Sequence, residues 1–332
     1  MQSPAKKRKT GGGAITAEID FSRVAAIAAK PSAERLEQLP DADFRVTVLQ
    51  NQLSQMIYTL DGTLTEAQLV ICKTQTFKGI RCDATSPDLT CMIKGKVAAE
   101  VMMNGEKEPI TILLRDFKPI MKATQGANAI DIVRYTGEDF LTIECLGSNP
   151  FKRWRVRTLV TEENNVPILN INSKFTIDIQ CGHLKDFARR SSDYNCETVL
   201  MRILRLDSED AKHHFFEMSN NGDGLKKAEV AYHSISRSLE NNSIEIVCDA
   251  AVTPEQMIRL YNKSTQLYAA EFQSSYISDF LKVFDRGSIH LNLAQEEEGE
   301  PGPLILHAGL GNDASFMRLL LAPKMTEEHD GP

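Results

Sequence analysis

The sequence predicts an α+β fold of two similar halves, each a mainly antiparallel sheet carrying two helices. Three observations predict it. Apolar and polar residues alternate over many short segments, as on half-buried strands, and Gly, Asn, Asp and Ser separate those segments. A few segments switch to helical spacing. The order of strands and helices in the first half then returns in the second, without the short tandem period of a solenoid.

Phe44, Val46 and Val48 alternate with polar residues, and Leu53, Met56, Ile57 and Leu60 follow at helical spacing. Strands are expected over Gln68–Lys73, Phe77–Asp83, Leu89–Val101, Ile130–Tyr135, Phe140–Cys145 and Arg153–Val160, with a helix over Leu114–Ala123. In the second half, Phe175–Ile179 alternates like Phe44–Val48 and precedes a helix over Gly182–Ser191. Strands follow at Val199–Leu206, Phe215–Met218, Leu225–Ser234 and Ser243–Cys248. A helix over Tyr276–Phe284 then precedes strands at Ile289–Leu293 and Leu304–His307. The internal echo is plainest where Asp116-Phe117 and Leu146-Gly147 recur, at nearly the same separation, as Asp279-Phe280 and Leu310-Gly311.

Composition narrows the function. With 332 residues, 42% of them hydrophobic, the chain is long enough for two domains with cores of their own. Its formal net charge of −7 excludes a uniformly basic nucleic-acid binder but permits one concentrated basic face. No apolar run approaches the ~18 residues that cross a bilayer, and the start lacks a secretory apolar stretch, so no membrane association is expected. The seven cysteines are odd in number, scattered and without a C-x-x-C pair. That fits reduced thiols in a cytosolic or nuclear protein.

Catalytic patterns are weak. Gly309-Leu310-Gly311-Asn312-Asp313-Ala314 imitates a dinucleotide fingerprint but leads into another strand pattern instead of a phosphate-binding helix. His213 and His214, with Glu217, have metal-ligand chemistry, yet adjacent histidines on a strand point to opposite faces. No nucleophile elbow or P-loop occurs. No catalytic residue, metal or cofactor is expected, and a nucleotide- or metal-dependent enzyme is the remote alternative.

Residues 1–40 read as a flexible arm: Lys6-Lys7-Arg8-Lys9 precedes Gly11-Gly12-Gly13 and an alanine-rich stretch. The basic cluster has the charge density of a nuclear localisation signal; the alternative is a solvated tail.

Three stretches then carry a family resemblance. The run Phe316-Met317-Arg318-Leu319-Leu320-Leu321-Ala322-Pro323-Lys324, followed by acidic residues, looks like the end of proliferating cell nuclear antigen (PCNA), and the chain resembles the PCNA family of DNA sliding clamps. Phe175–Arg190 is similar to the strand and first helix of that family's second domain, and Phe77–Ser86 to a segment of its first. The likeness holds in order and spacing over roughly residues 44–326. It implies two tandem DNA-clamp domains, residues 41–160 and 175–326, joined by a connector at 161–174 and ending in an acidic tail at 327–332. Departures are a lengthened hairpin at Glu296–Pro303, a long segment at 207–214 and the N-terminal arm.

The resemblance implies a polymerase processivity factor that encircles double-stranded DNA and tethers replication and repair proteins. Its partners would be a DNA polymerase, other clamp-binding proteins, a clamp loader and two further copies of itself. Such a clamp holds phosphates without reading bases. On the predicted helices the candidates are Arg115, Lys118 and Lys122; Lys185, Arg189 and Arg190; and Lys282, with Arg286 just beyond. By resemblance, Lys122, Arg189 and Lys282 stand at or near basic, DNA-facing positions. The helix around Asn51–Leu60 has no Lys or Arg, leaving Asn51, Gln52, Ser54 and Gln55 as hydrogen-bonding candidates.

A client-peptide groove is expected around Ile168 and Leu169 of the connector, Ala322, Pro323 and a turn at Asp83, Ala84, Thr85 and Ser86. Ring closure is expected where Arg153–Val160 meets Leu225–Ser234 of a neighbouring copy. A monomeric or heteromeric clamp-like processivity factor is the alternative assembly. The expected location is the nucleus, or a viral replication compartment.

Overall fold

The computed structural model describes residues 42–146, 152–159, 171–207, 212–222, 226–239, 243–295 and 299–324. Residues 1–40, the connector's Ile168 and Leu169, and the acidic tail lie outside the described residues. In the first half, β1 (Ala42–Leu49) runs into α1 (Gln50–Asp61). Next come β2 (Glu66–Lys73), β3 (Lys78–Thr85), β4 (Cys91–Ala98), β5 (Glu100–Met103) and β6 (Lys107–Leu113). Helix α2 (Leu114–Ala123) precedes β7 (Ala129–Tyr135), β8 (Phe140–Cys145) and β9 (Arg153–Arg157). In the second half, β10 (Ser173–Gln180) runs into α3 (Cys181–Asp193), followed by β11 (Thr198–Asp207), β12 (Lys212–Gly222), β13 (Lys226–Ser238) and β14 (Ile244–Ala251). Helix α4 (Pro254–Lys263), β15 (Thr265–Gln273), α5 (Ser274–Leu281), β16 (Ser288–Gln295), β17 (Pro301–Asn312) and β18 (Ser315–Leu321) complete it.

The internal repeat is visible at the helix starts. Each of α1, α2, α3 and α5 begins at the residue after a strand ends, on an extended N-cap (Leu49, Leu113, Gln180 and Gln273) that makes no side-chain capping bond. The strand itself aims these helices, and burial of one face holds them. Phe117 and Phe280, the two members of the repeated Asp-Phe pair, are both buried in the main core. Burying a side chain of that size contributes roughly 1.5–3 kcal/mol.

Helix α4 is the element the sequence reading lacks, together with β15. It has a capping box in which the Thr253 side chain accepts from Gln256 N and the Gln256 side chain accepts from Thr253 N, and Pro254 opens its first turn. It packs Leu260 and Met257 against Leu204, Phe215 and Ala231 in a small core of its own. Phe215 faces that core while its neighbour Phe216 faces the main one, so α4 lies on the sheet face away from the other helices.

Thirteen strands form one sheet in the order β15-β11-β12-β13-β14-β10-β16-β17-β18-β4-β3-β2-β6, and β5-β1-β7-β8-β9 form a second. All pairs are antiparallel except β10 with β14. The halves join where β18 pairs with β4, from Phe316 opposite Lys96 to Leu321 opposite Cys91. Helices α1 and α2 pack together, as do α3 and α5. Gly62 ends α1 against α5, so closely that a Cβ there would lie 3.1 Å from the Asp279 Cβ. The four therefore form one layer in the order α2-α1-α5-α3 over a single apolar core.

Candidate functional site

The helix layer carries the predicted basic residues outward. Arg115, Lys118, Lys122, Arg189, Arg190, Lys282 and Arg286 are exposed and Lys185 is half-buried. Carboxylates share this surface. Lys118 pairs with Asp61, Lys282 with Asp279, Lys185 with Asp285 at 2.9 Å, Arg189 with Asp186 at 3.7 Å and Arg115 with Asp116 at 3.7 Å. The hydrogen bond from Lys185 holds the Asp285 carboxyl below its ordinary range. Lys122, Arg190 and Arg286 meet no carboxylate at ion-pair distance among the described residues, which leaves them readiest for an external phosphate.

On α1 the structure corrects the hydrogen-bonding candidates. Gln52 is 0% exposed and its Oε1 accepts from Ser315 Oγ at 3.2 Å. Ser54 is also buried and accepts from Gln50 Nε2 at 2.8 Å. Only Asn51 and Gln55 reach the surface.

The groove residues need a second correction. Asp83, Ala84 and Thr85 belong to β3, not to a turn, and Ser86 is buried, accepting from Cys91 N at 3.0 Å. The turn lies at 86–90, with Leu89 at φ 59 and 78% exposed. Asp88 fixes it by accepting from Ser86, from Thr90 Oγ1 at 2.8 Å and from Tyr276 of α5 at 2.9 Å. Those hydrogen bonds hold the Asp88 carboxyl well below the usual carboxylate range. Ala322 N donates to Thr90 O at 3.0 Å, and Lys324 N to Glu271 O at 2.8 Å.

A cleft of about 690 Å³ opens beside this joint, lined among others by Thr90, Cys196, Ser274, Tyr276, Ala322, Pro323 and Lys324. Of the predicted groove residues, it brings in Ala322 and Pro323 but not Asp83, Ala84, Thr85 or Ser86. Thr90, Ala188 and Ser192 of α3, α5 as far as Asp279, and Lys282 just beyond it are among the additions, so the cleft opens beside the helix layer. The Ser86-Pro87-Asp88 run, a strong turn signal, marks the true position in the sequence.

Solved structures match this architecture over most of the chain. PCNA from Entamoeba histolytica matches with a TM-score of 0.63 and 14% identity, covering 86% of this chain and 100% of that one. The fold is that of the PCNA clamps. A. fulgidus PCNA, solved with the C-terminal region of FEN-1 bound, matches at TM-score 0.59 and 17% identity, covering 86% and 100% of the two chains. The PCNA2-PCNA3 complex from Sulfolobus tokodaii gives 0.58 and 14%, covering 84% and 99%. No family model and no curated protein matches the sequence.

Within this PCNA fold, two strand edges matter. On β9 one side pairs with β8, and the other carries no strand among the described residues. The second predicted edge is only partly open. β12 covers one side of β13 from Lys226 to His233, and β14 covers the other from Tyr232 to Ser238. Residues 226–230 alone have no strand on the β14 side among the described residues.

The groups weighed for catalysis are otherwise engaged. Gly309, Leu310 and Gly311 lie within β17. Glu217 is fully buried, 3.2 Å from Arg202, and accepts from Tyr261 at 2.7 Å, while His214 Nδ1 lies 2.9 Å from Ser236 Oγ. None of the seven cysteines forms a disulfide, and all are buried. Burial pushes the Cys82, Cys91 and Cys248 thiols up to about 12, far from nucleophilic thiolates.

Proposed function

We propose that the protein is a DNA sliding clamp, a non-catalytic ring of identical chains that encircles duplex DNA and tethers client proteins to it. One observation carries the reading: the closed joint inside the chain has an open counterpart. Strand β18 follows β17 and closes on β4, which itself pairs with β3. In the repeat, β9 follows β8 and β13 pairs with β12, yet among the described residues β9 and part of β13 have no strand on one side. The open β9 of one copy fits the open stretch of β13 on the next. A contact of this head-to-tail type repeats until it closes. With residues 41–160 and 175–326 as the two clamp domains, three copies complete the ring.

The helix layer then faces DNA. Arg115, Lys118, Lys122, Lys185, Arg189, Arg190, Lys282 and Arg286 contact phosphates and read no bases, as sliding requires. Ala322 and Pro323, with Ile168 and Leu169 of the connector, take client peptides, among them a polymerase's. A loader opens the ring, and Lys6, Lys7, Arg8 and Lys9 direct the protein to the nucleus or a viral replication compartment. Light scattering tests the assembly: purified protein is expected near three times its chain mass, and a salt-indifferent monomer at micromolar concentration contradicts the ring.

A further inference from the structure

The sheet face opposite the helix layer carries a charged surface that DNA encirclement does not use. Following the strand registers, His290 on β16, His307 on β17, Arg318 on β18 and Lys94 on β4 stand side by side in one row. Phe316 and Lys96 face each other in the row beside it. These positions alternate with Leu291, Leu306, Leu319 and Ile93, which are buried in the main core, so they point away from the helices. Asp178 stands next to His290 at one end and Asp83 next to Lys94 at the other. Adjacent strands lie about 4.8 Å apart, so the row from His290 to Lys94 is about 14 Å long and the two acids lie about 24 Å from each other.

Arg318 and Lys96 are held in place by neighbouring side chains. Arg318 Nε donates to His307 Nδ1 at 2.8 Å, and its guanidinium carbon lies 4.6 Å from the Phe316 ring centre. Lys96 Nζ lies 5.8 Å from the same ring and 5.3 Å from that of Phe77. Neither Arg318, Lys94 nor Lys96 has a carboxylate at ion-pair distance among the described residues. On the helix layer most bases have one. Aromatic rings that position a cation lower the ordering cost of using it, and a guanidinium bound only through Nε keeps its terminal nitrogens for a carboxylate.

We propose that this face docks a short acidic segment of a partner protein, with Arg318 forking one carboxylate and Lys94 and Lys96 receiving its neighbours. An extended segment of four or five residues, at about 3.3 Å each, spans the row. A nucleic-acid strand fits less well, since its track meets Asp83 or Asp178 at either end. Phe316 is already in contact with Arg318, Lys96 and His307 and is no platform for a base. The inference does not depend on DNA encirclement, because the two surfaces lie on opposite faces of the sheet.

Fluorescence anisotropy on the full chain tests it, with a labelled peptide of alternating Asp and Glu flanked by glycines. Saturable binding is expected at low salt. It is expected to weaken by about tenfold or more in Arg318→Ala/Lys94→Ala/Lys96→Ala and to persist in Lys122→Ala/Arg190→Ala on the helix layer. Lys94→Gln/Lys96→Gln, which keeps the Arg318–His307 pair, is expected to weaken it by a smaller factor and guards against misfolding of the triple variant. Absent binding, or equal binding by all variants, overturns the proposal. So does a duplex DNA probe that loses the same affinity in the triple variant. If the peptide binds only after residues 325–332 are removed, the chain's own acidic end is the occupant and the partner reading fails. Retention on DNA, measured separately, reports on the clamp reading alone.

Discussion

The two halves of the molecule solve one folding problem in different ways. In the first half the chain breaks between β4 and β5, and the strands divide between two sheets: β4 stays in the large one while β5 pairs antiparallel with β1. In the second half β13 runs on without a break, and β14 sits between it and β10, parallel to β10. All the strands of that half therefore remain in one sheet. The second half also adds α4 on the outer face. What does not vary is the set of four strand-to-helix junctions and the strand pairs β3–β4, β12–β13, β8–β9 and β17–β18. The repeat is strict where helices are aimed and edges are formed, and loose on the outer face.

The largest expected effect comes from exchanging the open edge for its closed counterpart. Proline on an edge strand blocks an added strand without destroying the sheet it belongs to. Arg155→Pro on β9 should abolish assembly while circular dichroism stays unchanged. Leu319→Pro on β18, buried and paired on both sides, should unfold the chain instead. If Arg155→Pro keeps the oligomeric mass, the halves do not correspond as described.

The basic residues sharpen the comparison further. Among the described residues, Lys122 on the first half's helices meets no carboxylate at ion-pair distance, and in the second half neither does Arg190 or Arg286. Each phosphate contact contributes about 0.9 to the salt slope of duplex binding, so Lys122→Ala should lower it by about 0.9 and Arg190→Ala/Arg286→Ala by about 1.8. Salt titration of DNA association reads both, and equal losses on unrelated sequences are expected.

A smaller effect belongs to the joint between the halves. Desolvation first, then the positive charge of Arg318 and the proximity of His290, push His307 down from 6.5 to about 4. The folded chain thus binds its proton more weakly than the unfolded chain. The stability from neutral His307 is complete above about 6.5 and is lost as pH falls towards about 4. Urea melts should show this decline, and His307→Gln should flatten it. The smallest effect concerns α4: Thr253→Ala, which removes a cap with no equivalent in the first half, should cost about 1 kcal/mol in the same melts and leave assembly intact.

The sequence shows this fold unevenly, for physical reasons. The alternation of Phe175, Ile177 and Ile179, like that of Phe44, Val46 and Val48, reports a strand directly, because each of these side chains is buried. Helix α4 was overlooked although Thr253-Pro254-Glu255-Gln256 is a capping-box start. Its apolar stripe is short because it covers only a minor core. The expectation of a turn at Asp83–Ser86 follows from the family resemblance of Phe77–Ser86, whereas in this chain β3 runs on to Thr85 and Pro87 and Asp88 bend the chain. The fate of Gln52 depends on Ser315, 263 positions away, and no local pattern encodes such a partner. The basic helix residues were legible as exposed charges. Their pairing with Asp61 and Asp285 was not, since those acids come from other segments.

The central claim is topological, and retention on DNA tests it most directly. The protein is loaded onto nicked circular duplex, half the sample is linearised with a single cut, and bound protein is followed by gel filtration at moderate salt. An encircling ring stays on the closed circle and slides off the free ends, so retention should collapse only after cutting. Equal retention on circular and linear DNA would contradict the clamp and leave a protein that binds the duplex from one side.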